Sequence, residues 1–447
     1  MVVGQQVRRA PARGHLSARS AAALAASPTF PGPFAANPPF PAHVAGNVGR
    51  GRGEHGNVGR GRGEHGNVGA PGAVRPSGDH DRVLPEVSGW TCAPYPAGES
   101  LALADALGVT PPVAAILARR GLSDVAAARA FLAAADRHPA ESLPAVGEAC
   151  EAILRHVSAG TPIAVFGDYD VDGVCATAIL VRALRALGAS PRWRLPSRDE
   201  GYGLSAAAVR ELAAQGARLI VTVDCGVTAV EEVALARELG VEVVVTDHHR
   251  PGERLPDCPV VHPALGGYGC EHLCGAAVAL KLSEALRRAA GADPAGADED
   301  LDLAGLATVC DMVALTGESR RIAREGIAAL SRTRKDGLRA LMAVAQLAPA
   351  EVDERTASFR LGPRINAAGR MRRADAALEL VLCEDRERAD EIARELDGLN
   401  HDRRAAEQRI AAEAERQCAP QLAAAAIVVA GEDWHPGVVG IVASRLV

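Results

Sequence analysis

The sequence predicts an α/β fold in which a parallel-sheet domain is followed by a long linker helix and the start of a second α/β domain. Two observations carry that expectation. Short β-branched runs (Ile163–Phe166, Leu219–Val223, Val241–Thr246) alternate with Ala- and Leu-rich stretches such as Thr177–Leu187 and Ala206–Gln215. That alternation is the mark of βαβ units whose sheet is covered on both faces. The chain is also long and apolar enough, at 447 residues and 48% hydrophobic, for two or three domains with real cores.

Taken in order, residues 1–80 differ in kind from the rest. They are rich in Ala, Pro, Gly and Arg, contain no acid before Glu54, and carry the decapeptide GNVGRGRGEH twice, from Gly46 and from Gly56. Such a segment cannot bury a core. A basic nucleic-acid tail, an organelle-targeting segment and upstream sequence translated from a misplaced start codon are the three readings. The exact repeat favours the third, because a ten-residue period fits no common repeat fold. Residues 81–160 turn helical, in stretches at Leu101–Leu107, Val113–Leu122, Ala126–Ala133 and Ala145–Val157. Residues 161–373 form the parallel-sheet domain. Residues 374–417 read as a linker of one or two long charged helices, with acids and bases at i,i+4 spacing. Within 418–447, Ala423–Ala430 is expected to be a strand, Trp434–Gly437 a turn and Val438–Leu446 a helix, the start of a further α/β unit. The chain therefore reads as a fragment of a longer protein.

Bulk properties exclude little. A net charge of −6 gives no global attraction to nucleic acid, and the predominance of Arg over Lys (only Lys281 and Lys335) matches a high-GC codon bias. The ten cysteines form no CxxC pair, so a reducing, cytoplasmic setting is expected. The Cys270–Cys274 cluster, with Cys258 and His262 near it, matches no common zinc spacing, and buried thiols are the preferred reading. No segment is apolar enough to span a membrane.

The chemistry lies at the ends of apolar runs. Ile163–Phe166 leads into Asp168, Asp170 and Asp172; Leu219–Val223 into Asp224; Val241–Thr246 into Asp247, His248 and His249; and Leu306–Cys310 into Asp311. All four runs are expected to be strands, and in such sheets ligands gather beyond the carboxyl ends. Three carboxylates at alternate positions repel one another unless a cation holds them. An EF-hand would need Glu where Ile179 stands, and flanking helices. A mixed Asp/His set suits Mn²⁺ or Mg²⁺. Two such cations, about 3.5–4 Å apart, activate a nucleophile and clamp a phosphoryl oxygen, so phosphoester hydrolysis is the natural reaction class. Singly, each motif also fits a helix cap or a turn; their joint occurrence favours a metal site.

Six motifs in order, GDYDVDGVCAT, VTVDCGV, VVVTDHH, ATVCDMVAL, RLGPRINAAGRM and DWHPGVVGIVASR, resemble those of the DHH phosphoesterase superfamily, the last two pointing to its RecJ branch of single-strand-specific 5′ exonucleases. The likeness runs from about Trp90 to Val447. It implies a DHH catalytic domain over 161–373 and the start of a DHH-associated domain over 418–447. It implies catalytic roles for Asp170, Asp172, Asp224, His248, His249 and Asp311, with Asp168, Asp170, Asp172, Asp224, His248 and Asp311 around two divalent cations, Mn²⁺ or Mg²⁺. Asp224 is the candidate bridging ligand, and Asp168 is given a supporting place. Arg364 and Asn366 are expected to grip a phosphate, although alone Arg364 would read as a structural salt bridge. Gly437, with His435 before it, is expected to let backbone approach the substrate.

Arg182, Arg185, Arg192, Trp193, Arg194, Arg198 and Tyr202 interleave bases and aromatics. They could line a single-strand groove or form a helix face and a loop; the likeness around Tyr202 tips Arg198 and Tyr202 towards substrate binding. His262-Pro263 departs from the Asn-Pro usual in the family, and Cys274–Ala279 from a more glycine-rich version. The likeness also implies an oligonucleotide-binding barrel, for which no sequence is found. The resulting expectation is a monomeric, metal-dependent exonuclease that releases 5′-mononucleotides from the 5′ end of single-stranded DNA in recombination and repair. A single-strand-binding protein and a helicase are its expected partners, and no membrane is involved. A phosphodiesterase for short oligonucleotides, cyclic dinucleotides or 3′-phosphoadenosine phosphate is the alternative within the class. A non-catalytic DNA-binding replication scaffold is the alternative outside it, and it would require lost metal ligands.

Overall fold

Alternation along each β-branched run decides the layers. The computed structural model describes residues 96–422 and 424–446; the expectations for the 1–80 tail lie outside them. Four helices come first, α1 (Ala97–Leu107), α2 (Pro111–Arg119), α3 (Val125–Ala133) and α4 (Val146–Ala159). The sheet domain follows as β1 (Ile163–Phe166), α5 (Val171–Ala186), β2 (Arg192–Arg194), α6 (Ala206–Ala214), β3 (Leu219–Val223), α7 (Val230–Glu238), β4 (Glu242–Thr246), β5 (Val260–Val261) and α8 (Gly275–Ala289). Then come α9 (Leu301–Cys310), α10 (Gly317–Leu330), α11 (Asp336–Val344), α12 (Glu354–Thr356), a wide π-helical turn (Ala357–Leu361), α13 (Gly362–Met371), α14 (Asp375–Leu382), α15 (Arg386–Cys418) and α16 (Pro436–Arg445).

The five strands are all parallel, in the order β2-β1-β3-β4-β5. Ile163, Val165, Leu219, Val221 and Val244 face one layer, with α4, α5, α8 and α9; Ala164, Phe166, Ile220, Val243 and Val245 face the other, with α6 and α7. This is the period-two split of a sheet buried on both sides. Helix α5 is the centre of the first layer. Val174, Ile179, Leu180 and Leu184 are fully buried on it, each contributing about 1.5–3 kcal/mol of burial. The connection from β1 runs outward to β2 on one side, while β3 lies on its other side. The order therefore reverses between β1 and β3, opening a crevice beyond their carboxyl ends.

Two expectations need correction. Leu306–Cys310 is not a strand but the second half of α9, which has eight of its ten residues buried. A short apolar run buried all round has no amphipathic period to separate strand from helix. The strand expected over Ala423–Ala430 is also absent among the described residues. Instead Gln417, in the last turn of α15, and Gln421, in the 3₁₀ turn just after it, pair their side-chain amides with the backbone of Ala430 and Val428. Glutamine amides thus take the hydrogen bonds a neighbouring strand would supply. The charged linker does form α14 and α15, the latter 33 residues long, or about 50 Å. Its Ala389, Ile392, Leu396, Leu399 and Ile410 stripe is buried.

Candidate active site

The first turn after β1 is shaped by small residues and a cap. Asp170 is the N-cap of α5, its Oδ1 accepting from Asp172 N (2.9 Å) and Gly173 N (3.1 Å). Asp168 is buried beside it, because Gly173 has no side chain: a Cβ there would lie 2.6 Å from the backbone of Asp168. Asp172 points across to α8, where Gly275 N and Ala276 N donate to its two oxygens at 2.6 and 2.7 Å. A helix N-terminus thus holds this carboxylate in place.

At the end of β3, Asp224 sits in the left-handed backbone region (φ 61°) and is almost fully buried. A non-glycine residue held there stores about 1–3 kcal/mol of strain. Gly275 is again what makes room, since a Cβ on it would meet Asp224 Oδ1 at 2.6 Å. Beyond β4, Asp247 turns inward and organises the two histidines. Its Oδ1 accepts from His248 N (2.7 Å), His249 N (3.1 Å) and the His249 Nδ1 (2.8 Å), and its Oδ2 from Val227 N (2.9 Å). Burial opposes its charge, yet the His249 and Val227 hydrogen bonds keep the carboxyl below the usual aspartate range. The Tyr202 hydroxyl has one proton and donates it to Asp224 O (3.0 Å). It therefore accepts at His249 Nδ1 (2.8 Å), which fixes the proton on Nδ1 and leaves Nε2 free.

Asp311, directly after α9, completes the set. Asp168, Asp170 and Asp224 bring ligand atoms within 4.8 Å of one another; so do Asp172, His248 and Asp311, and so do Asp224, His248 and His249. Asp224 and His248 join the first two groups through the third, Asp224 Oδ1 lying 3.1 Å from His248 Nε2. Asp168 Oδ1, Asp224 Oδ1 and His248 Nε2 are buried without hydrogen-bond partners. Burial, and then Asp170, pushes the Asp168 carboxyl up to about 7; burial, Asp172 and Asp170 push Asp311 up to about 8. Asp170 and Asp224 are raised by burial and the same neighbours, and burial lowers His248. Crowded hard-oxygen donors with orphaned buried atoms fit two divalent cations of the Mn²⁺ or Mg²⁺ kind. Asp168 lies in one group with Asp170 and Asp224.

Next to Tyr169 of the aspartate turn lies a cleft of about 420 Å³ lined by Arg198, Asp199, Arg370, Arg372, Arg373, His435 and Gly437. Arg198 stacks on Tyr169 (4.4 Å) and donates to Gly369 O (3.0 Å). His435 caps α16 by accepting from Gly437 N (3.1 Å). Gly437 is needed for packing, because a Cβ there would strike Arg370 O.

Two expected phosphate contacts are engaged elsewhere. Arg364 puts Nε and Nη2 on Asp397 (2.9 and 2.8 Å) and Nη1 on Arg360 O (2.6 Å). Its guanidinium is spent on holding α13 to α15. Asn366 accepts from Val171 N (3.1 Å), steadying the aspartate turn. Of the Arg/aromatic stretch, only Arg198 and Tyr202 reach the site. Arg182 pairs with Asp300, Arg194 with Glu200 and Glu211, and Arg185 lies over Trp193. Sequence reasoning missed Arg370, whose Nη1 donates to Gly437 O (3.1 Å) and whose burial, with Arg198 nearby, lowers its pKa. It also gave Asp247 no role. The signal for both was position, one inside RLGPRINAAGRM and the other heading the two histidines.

Comparison with known proteins agrees with this geometry. Residues 162–308 match the model of the DHH family, N-terminal domain. The chain is 41% identical over 352 residues to the single-stranded-DNA-specific exonuclease RecJ of Bacillus subtilis, covering 77% of this chain and 44% of that protein. The crystal structure of RecJ from Thermus thermophilus in complex with Mn²⁺ superposes with a TM-score of 0.68 at 35% identity, covering 78% of this chain and 51% of that one. A manganese-bound exonuclease RecJ superposes at 0.65 with 39% identity, over 69% of this chain and 79% of that one. The chain spans about half the length of the full-length relatives it matches.

Proposed function

The chain belongs to the DHH phosphoesterases, in their RecJ branch, and from that premise we propose that it is a metal-dependent exonuclease that hydrolyses single-stranded DNA from the 5′ end, releasing 5′-mononucleotides. One observation carries the proposal. Three overlapping groups of metal-ligand atoms, two of them containing Asp224 and two containing His248, meet at the strand ends, and an arginine-lined cleft opens next to Tyr169 of the aspartate turn.

Asp168, Asp170 and Asp224 would hold one cation and Asp172, His248 and Asp311 the other, with Asp224 between. When bound, such a pair supplies an acidified water and neutralises charge on the scissile phosphate. The side chains around it do the positioning. Arg198 and Arg370 offer guanidinium donors to the substrate phosphates next to the scissile one, and the exposed Arg372 adds a positive charge at the cleft mouth. His249 has its proton fixed on Nδ1 by Asp247 and Tyr202. Burial lowers its basicity, but the Asp247 hydrogen bond and the charges of Asp247, Asp311 and Asp172 together outweigh that and raise its pKa. Its raised pKa suits Nε2 to carry a second proton and pass it to the departing 3′ oxygen.

A monomeric, cytoplasmic enzyme of recombination and repair, partnered by a single-strand-binding protein and a helicase, completes the proposal. The nine described cysteines, all free, support a reducing compartment. The scaffold alternative loses force because every expected ligand lies in the cluster. Digestion with Mn²⁺ of 5′-labelled single-stranded DNA, the matching duplex and a dinucleotide tests the reading. Release of 5′-mononucleotides from the long single strand alone is expected. Cleavage confined to the dinucleotide would make the chain an oligonucleotide phosphodiesterase instead.

A further inference from the structure

The geometry assigns His262 as the positioning residue that holds the two histidines after β4 from the neighbouring strand. The β4–β5 pairing is short, with Val245 opposite Val260 and Thr246 opposite Val261. One more rung follows, from Asp247 N to Val261 O (3.1 Å). There the backbone ladder must stop, because Pro263 has no N–H to offer. The next contact is made by a side chain. His262 Nε2 donates to the carbonyl of His249 at 2.7 Å, while its Nδ1 accepts from Ala264 N at 3.1 Å. His262 is 1% exposed, so both ring nitrogens are used inside the protein, Nε2 as donor and Nδ1 as acceptor.

This bond fixes something Asp247 does not. Asp247 orients the N–H groups of the turn and the His249 ring; His262 fixes the carbonyl end, and with it the peptide that follows both histidines. Released there, the turn would swing about Asp247. His248 Nε2 would then leave its place 3.1 Å from Asp224 and 3.7 Å from Asp311. Outer partners that orient metal ligands in this way typically control about 10–100-fold in metal affinity or activity.

The inference rests on the two-cation reading and separates from it by experiment. Mn²⁺ binding to the chelator-treated protein is measured by calorimetry, with kcat and KM on single-stranded DNA. The variants are His262→Leu, which keeps bulk without a donor, and His262→Asn, which keeps a donor and an acceptor on one planar group. Expected are a Mn²⁺ affinity about 10–100-fold weaker and a lower kcat in His262→Leu, with KM nearly unchanged, and substantial recovery of both in His262→Asn. A folded His262→Leu that matches wild type overturns the assignment. Should His262→Leu fail to fold, His262→Gln, which keeps a donor at the reach of Nε2, is expected within about threefold of wild type; a tenfold loss in that folded variant overturns the assignment equally. Failure of the wild type itself to bind Mn²⁺ would instead count against the metal site.

Discussion

Arg364 forms a two-nitrogen ion pair with a single oxygen of Asp397, at 2.9 and 2.8 Å, and so ties the helix bearing the RLGPRINAAGRM motif to the long linker helix. A guanidinium bound in this way is not free for a phosphate. Arg364→Gln is therefore expected to lower stability by about 2 kcal/mol while leaving KM for single-stranded DNA within a few fold. Arg370→Gln is expected to do the reverse, raising KM tenfold or more with little change in Tm. Thermal melts and steady-state kinetics on the two variants decide; a large KM effect from Arg364→Gln with unchanged Tm would return the phosphate contact to Arg364.

Gly275 allows α8 to touch Asp224. Adding a methyl group would place Cβ 2.6 Å from the Asp224 carboxylate and from its Cβ, and Asp172 depends on the same helix start. Gly275→Ala is expected to weaken Mn²⁺ binding at least tenfold, measured by calorimetry. Unchanged affinity would mean that the carboxylates need not be held by α8.

The metal-free cluster makes stability depend on pH. Asp168 and Asp311 are raised in the fold to about 7 and about 8, above their unfolded value. The sign follows from linkage: below the unfolded pKa both states are protonated and stability is full, and it is lost as pH rises through the folded pKa values. Melts of chelator-treated protein should therefore show Tm falling between about pH 5 and about pH 8, and Mn²⁺ should raise Tm more at the upper end. A Tm that stays level or rises across that range would contradict the electrostatics described here.

Asp247 touches no expected ligand atom of the cations, yet it sets the His249 tautomer. Asp247→Asn keeps the shape but removes the charge, and with its oxygen left to the His248 and His249 donors its NH2 meets the N–H of Val227. A fall in kcat of about 10–100-fold is expected, with the high-pH limb of the rate profile moved to lower pH as His249 loses its raised pKa. A profile identical to wild type would remove His249 from proton transfer.

Much of the fold was readable because buried parallel strands carry continuous β-branched runs: Ile163–Phe166, Leu219–Val223 and Glu242–Thr246 are all strands. Leu306–Cys310 was misread because a helix buried all round shows no period. The acids and histidines of the site were legible as residues placed at element ends. Their partners were not, since hydrogen bonds such as Asp172 to Gly275 or Val171 to Asn366 join residues far apart in sequence. The same holds for Arg364 and Arg370. Six residues apart on one motif, they differ in role because a helical turn aims one at Asp397 and the other at the cleft.

The central claim is that Asp224 joins two cation sites, and counting Mn²⁺ ions on the chelator-treated protein by titration calorimetry tests it most directly. Two ions per chain are expected for the wild type, with both lost or severely weakened in Asp224→Ala and one in Asp311→Ala. Equal Mn²⁺ binding before and after these substitutions would contradict the two-metal account.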